Sequence, residues 1–187
     1  TGDTSAGIIR NGVSSSTVPT MSVGADVYIS GLSLTLDSTS STAFDSTAVL
    51  KGGTVSLNSG QISLLLDDAG TVGATSGLVL SGASLANLQS NANALSLLSY
   101  SSIDIYGHGQ VGGFGADDRP AISSLELHAA ALRGFNTNGG RVGFAARDIL
   151  IDNEAGRAAQ ESVAPSSGTL SFQSETLRLG VNQVAVD

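Results

Sequence analysis

Gly107-His108-Gly109-Gln110-Val111-Gly112 has the G-x-G-x-x-G spacing of a dinucleotide-binding turn. Gly112-Gly113-Phe114-Gly115-Ala116-Asp117 has the G-G-x-G-x-D opening of a calcium-binding β-roll repeat. A dinucleotide turn needs a helix that opens at the third glycine and holds pyrophosphate at its N-terminus. Here Gly113, Gly115 and Pro120 follow that glycine, and all three oppose a helix. A β-roll needs tandem copies, because each ion sits between successive turns. This chain has one copy, with Arg119 where an apolar residue belongs. Both motifs therefore reduce to a long glycine corner after Ile103 and Ile105, and Asp117-Asp118 reads as a solvated acidic loop.

The other chemistry-bearing residues are sparse. Asp67-Asp68, Asp104 and Asp117-Asp118-Arg119 are the acids that could serve a polysaccharide-cleaving enzyme, which clusters carboxylates on one outer face, sometimes with calcium and a basic residue. No two of them share a register on neighbouring repeats. His108 lies in the glycine corner, and His128 alternates outward after Leu127. With no carboxylate at ligand spacing, both read as loop or surface histidines. There is no G-x-S-x-G elbow, so the many serines read as corner and outward positions. Tyr28, Tyr100 and Tyr106 suit half-buried packing, with a glycan-stacking surface as the functional alternative. No Arg-Gly-Asp triplet is present. No catalytic, cofactor-binding or metal residue is assigned, and no cofactor is expected.

Composition points the same way. The 187 residues are 41% apolar, enough for one core, but only 4% aromatic and 13% charged. Small residues fill the difference, which suits short stacked layers better than helices with charged outer faces. The net charge of −8 removes the main driving force for nucleic-acid binding, and no apolar run reaches membrane-span length. Without cysteine there is no disulfide framework. That fits a reduced compartment and equally fits large bacterial secreted proteins that avoid thiols. A start at Thr1, with no initiator Met or signal peptide, reads as a segment cut from something longer.

The elements that would position these residues are short alternating runs. Val27-Tyr28-Ile29 precedes Leu32, Leu34 and Leu36. Val55 and Leu57 precede Ile62, Leu64 and Leu66. Leu78 and Leu80 precede Leu85, and Leu95 and Leu97 precede Ile103 and Ile105. Leu125 and Leu127 precede Leu132, Val142 and Phe144 precede Ile149 and Ile151, and Leu170 and Phe172 precede Leu177 and Leu179. The units recur about every 24 residues with wide scatter, a solenoid signal. Alternation turns Leu57, Leu64, Ile105, Leu127, Ile149 and Leu177 inward. Leu85, Leu88, Ala92 and Leu95 share a helical spacing, so a short helix is expected over residues 84–94. Residues 37–48 and 107–122 read as polar excursions. The expected fold is an all-β, right-handed parallel β-helix over residues 1–187 as one unit, with at most one short helix. The competing fold is an antiparallel sandwich turning at Asn11-Gly12, Ser59-Gly60 and Asn138-Gly139.

The stretches "VYISGLSLTLDS", "GGTVSLNSGQISLLLDD", "GLVLSGASLANLQ", "LSLLSYSSIDIYGHGQVGG" and "GGRVGFAARDILIDNEAG" resemble passenger segments of filamentous haemagglutinin-like exoproteins, which leave bacteria by two-partner secretion. The resemblance spans nearly the whole chain. It implies a right-handed β-helical shaft, a secreted or cell-surface location, and a structural or adhesive role. The partners it implies are a host-cell or glycan receptor and a dedicated outer-membrane transporter, with no nucleic acid and no membrane insertion. The family's Asn-Pro-Asn-type export motif is absent, which makes this a downstream shaft segment.

Overall fold

The computed structural model describes residues 19–70, 72, 75–158 and 167–187. The first strands are β1 (Thr20–Val23), β2 (Tyr28–Asp37), β3 (Ser41–Phe44), β4 (Val49–Ser59), β5 (Ile62–Leu65) and β6 (Leu78–Ser81). The helix α1 (Gly82–Asn91) follows, then β7 (Ala92–Ser99), β8 (Ser102–Tyr106), β9 (Gly109–Val111), β10 (Ser124–His128) and β11 (Ala131–Phe135). The chain ends with β12 (Arg141–Ala145), β13 (Asp148–Asp152), β14 (Thr169–Gln173), β15 (Thr176–Leu179) and β16 (Ala185–Val186).

The protein is mostly β, with one helix and no closed barrel among the described residues. A seven-stranded sheet has the order β1-β3-β6-β5-β8-β11-β16, a six-stranded sheet β15-β13-β10-β7-β4-β2, and a three-stranded sheet β14-β12-β9. Every pairing between these strands is parallel, which removes the antiparallel sandwich. Ser59-Gly60 and Asn138-Gly139 are corners between sheets rather than hairpin turns. Asn11-Gly12 lies outside the described residues. From β7 to β13 the chain visits the six-, seven- and three-stranded sheets in turn.

Alternation in the six-stranded sheet builds two inward columns. They are Leu34, Val55, Leu95, Leu125, Ile149 and Leu177, and beside them Leu36, Leu57, Leu97, Leu127, Ile151 and Leu179. Ile62, Ile103 and Leu132 form a facing column, with Leu64 and Ile105 next to it. Leu57, Leu64, Ile105, Leu127 and Ile149 are buried as the alternation predicts. Leu177 is the correction. It holds the expected register but is 47% exposed, because among the described residues β15 is the last strand of its sheet and no strand covers it.

The serines have a structural task at the corner between the six- and seven-stranded sheets. Ser59 and Ser99 lie in register and are fully buried. Ser38, just past β2, donates to Pro19 O and Ser41 O, Ser59 donates to Ser40 O, and Ser99 donates to Ser102 O. These hydroxyls give the corner carbonyls side-chain donors, and Pro19 O and Ser40 O also accept Ser41 N and Gly60 N.

Three sequence expectations change. Residues 37–48 are not simply an excursion, since they contain β3. The glycine corner contains β9, which pairs with β12. The helix runs Gly82–Asn91 rather than 84–94, so Leu95 is buried as a strand residue beside Leu85 and Leu88 of the helix. Ser84 Oγ closes the first helical turn by accepting from Ser81 N at 3.0 Å and donating to Ser81 O at 2.8 Å. On one side Asn87 Nδ2 donates to Ala48 O. On the other, Gly112 N donates to Gln89 Oε1. The helix thus lies between the start of β4 and the end of β9. A cleft of about 1220 Å³ runs along it, bordered by Tyr28, Lys51, Asp67, Asn91 and Gln110. The helix leaves the strand pairing intact, since β4 pairs directly with β7 from Gly52 opposite Ala92 onward.

Candidate functional site

The outward columns of the six-stranded sheet carry the chemistry. One column runs Asp37, Asn58, Leu98, His128 and Asp152, and its neighbour Thr35, Ser56, Ser96, Glu126, Leu150 and Arg178. Residues two apart on a strand share a face, so Glu126 and His128 point the same way, and pairing with β13 brings Asp152 directly beside His128. They border a shallow groove of about 520 Å³ together with Glu154.

His128 is only 5% exposed. Its Nδ1 lies 2.6 Å from Asp152 Oδ1 and 3.8 Å from Glu154 Oε2, and its Nε2 lies 3.5 Å from Glu126 Oε2. Asp152 is held in turn, because Glu154 N donates to its Oδ1 at 3.1 Å. Gly180, just past β15, presses on the same carboxylate; a Cβ there would stand 2.6 Å from Asp152 Oδ2. A carboxylate that fixes one imidazole nitrogen and leaves the other toward a groove can orient the ring and exchange a proton.

This cluster corrects the reading of His128 as a surface histidine without a carboxylate nearby. The partner is 24 residues along the chain, one repeat away, so the loose period was the signal that could have found it. Glu126 and Asp152, acids that the sequence did not single out, meet around His128 although they are offset by two residues, since Glu126 pairs with Leu150 and His128 with Asp152.

Asp104 is placed differently. Ser63, Asp104 and Arg133 form an outward column of the seven-stranded sheet. Asp104 is 2% exposed and receives Arg133 Nε and Nη2, each at 2.8 Å, Gln61 Nε2 at 2.6 Å and Ser102 Oγ at 2.7 Å. A carboxylate this fully occupied is a structural clasp. Beside it Tyr106 stacks on Phe135 with ring centroids 5.0 Å apart. Burial, and then the Asp104 charge, hold the Tyr106 phenol above its ordinary range.

The remaining candidates stay apart. Asp67 lies at the end of β5, where its carbonyl accepts from His108 N, and Asp68 and His108 form an exposed pair at 3.8 Å. Gly107 to Gly112 contains β9 and is not followed by a helix, so the dinucleotide turn is absent. Asp117 Oδ1 accepts from Arg119 N inside a local turn, and Arg119 pairs with Glu175 at 3.1 Å. Tyr28 is exposed beside the helix cleft, and Tyr100 donates to Asp37 Oδ1 at 3.2 Å. Among the described residues no group of three or more His, Asp or Glu side chains has a metal-holding arrangement. Comparison with protein-family models, curated proteins and solved structures gives no match for this chain.

Proposed function

We propose that the chain is a right-handed parallel β-helix and serves as a rigid structural or adhesive segment of a secreted or cell-surface bacterial exoprotein. The observation that carries this reading is the pair of inward columns that run unbroken from Leu34 and Leu36 to Leu177 and Leu179 through parallel strands. At β15 the columns end on Leu177 and Leu179, whose side chains are exposed. The partners that follow from this reading are a host-cell or glycan receptor and an outer-membrane transporter. Small-angle scattering and glycan or cell-binding assays on the full 187-residue chain test it. An elongated particle with or without receptor binding supports a rod; a compact particle whose parallel strands do not stack along one axis overturns it.

The Glu126, His128 and Asp152 groove favours a second reading, a polysaccharide-cleaving enzyme. Cleavage that is lost in Glu126→Gln and in His128→Gln, while folding is retained, would establish that reading over the first.

A further inference from the structure

We infer that His128 and Glu126 form a pH-operated latch over the acidic groove of the six-stranded sheet. A neutral imidazole has one N–H, and its other nitrogen carries a lone pair. At His128 both nitrogens face carboxylate oxygens, Nδ1 toward Asp152 at 2.6 Å and Glu154 at 3.8 Å, and Nε2 toward Glu126 at 3.5 Å. A carboxylate only accepts, so both contacts are satisfied together only when the ring carries two protons. The ring is buried and fixed by Asp152, which is itself held by Glu154 N and covered by Gly180. It cannot turn away when it loses a proton.

The movable group is therefore Glu126, whose side chain is more than a third exposed. On the doubly protonated ring Glu126 is drawn onto Nε2 and closes its end of the groove. On the neutral ring the Nε2 lone pair faces a negative oxygen, and Glu126 swings out. The groove then presents the Glu126 and Glu154 carboxylates to solvent. Loss and gain of the second ring proton therefore release and set the latch.

The strand β10 contributes Glu126, β13 contributes Asp152, and the segment after β13 contributes Glu154. The neighbouring strand β7 presents Leu98 and has no ionisable residue, and β4 presents Asn58. Asp148 lies at the opposite end of β13, beside Ser124. On β15, Arg178 pairs with Leu150, in the same outward column as Glu126. The device is independent of whether the chain is a rod or an enzyme.

Nuclear magnetic resonance of the isotopically labelled full chain between pH 5 and 8 tests it, with His108 as internal comparison. The expected result is that, as the pH is raised, His128 loses its Nε2 proton and keeps the one on Nδ1, and that Glu126 side-chain signals change in step with that loss. In His128→Gln the Glu126 change should be lost. In Glu126→Gln, whose exposed site tolerates the substitution, the amide can meet either form of the ring, its oxygen toward N–H and its NH2 toward the lone pair, so the side chain should stay beside His128 from pH 5 to 8. A Glu126 that stays fixed while His128 changes protonation overturns the latch. So does a ring that keeps one protonation state throughout, or a Gln at position 126 that moves as the native residue does. If His128→Gln does not fold, the wild-type and Glu126→Gln spectra decide.

Discussion

At the scale of single residues, position in a column decides consequence more than residue type. Leu127 is fully buried in the middle of its column, and Leu179 ends the same column 78% exposed. Leu127→Ala should cost about 2–5 kcal/mol, and Leu179→Ala well under half of that, measured by urea unfolding. Arg133→Ala strands the buried Asp104 charge and should cost roughly 3–5 kcal/mol by the same measurement, although Gln61 and Ser102 still hold the carboxylate. Tyr106 gives a pH signature. Its folded form favours the neutral phenol, so its stabilising contribution is full below about pH 10 and is lost as pH rises through the raised value. Comparing urea midpoints of wild type and Tyr106→Phe at pH 8 and pH 11 should show a smaller alkaline loss in the variant. The buried leucines were legible because alternation is local. The partners of His128 and Asp104 were not, because a side chain meets its neighbour across a repeat whose length varies from circuit to circuit.

At the scale of elements, the pairs β4 with β5, β7 with β8, and β10 with β11 stood out because Leu and Ile alternate with Ser, Asp or Glu. The strand β9 did not, because Gly109-Gln110-Val111 has a single apolar side chain and is held by its pairing with β12. The strand β3 was hidden in the same way by Ser41 and Thr42. Its end carries Asp45, whose carboxylate accepts from both Thr47 N and Thr47 Oγ1 and is held below the ordinary carboxylate range by them. Gly112 ends β9 at φ +87°, with Ala145 O 2.0 Å from where a Cβ would be. Gly112→Ala should therefore lower stability by at least about 1–3 kcal/mol in thermal or urea unfolding. The Asp117 turn closes on its own backbone, so unfolding curves with and without a calcium chelator should coincide.

At the scale of the whole molecule, the apolar ends of the inward columns dominate behaviour in solution. Leu177 and Leu179 end the columns exposed, Val181 and Val186 are exposed as well, and on β2 Leu32 is 92% exposed beside the partly buried Leu34 and Leu36. Among the described residues the strand β15 also presents an edge without a further strand. Light scattering should show association that grows with salt, as the −8 charge is screened, and that Leu179→Lys suppresses. The mostly parallel β character was legible from recurring paired runs, whereas the order within the seven-stranded sheet was not. There β6 sits between β3 and β5, although it follows β5 in the chain. Both partners of β5, β6 and β8, are therefore made after it. A chain emerging from its N-terminal end cannot add strands to this sheet one by one. The β1–β3 pair and β5 must wait, with their backbone edges open, until residues 78–81 arrive to join them. The N-terminal half should thus become protease-resistant in one late step, and a chain truncated before β6 should never reach that state.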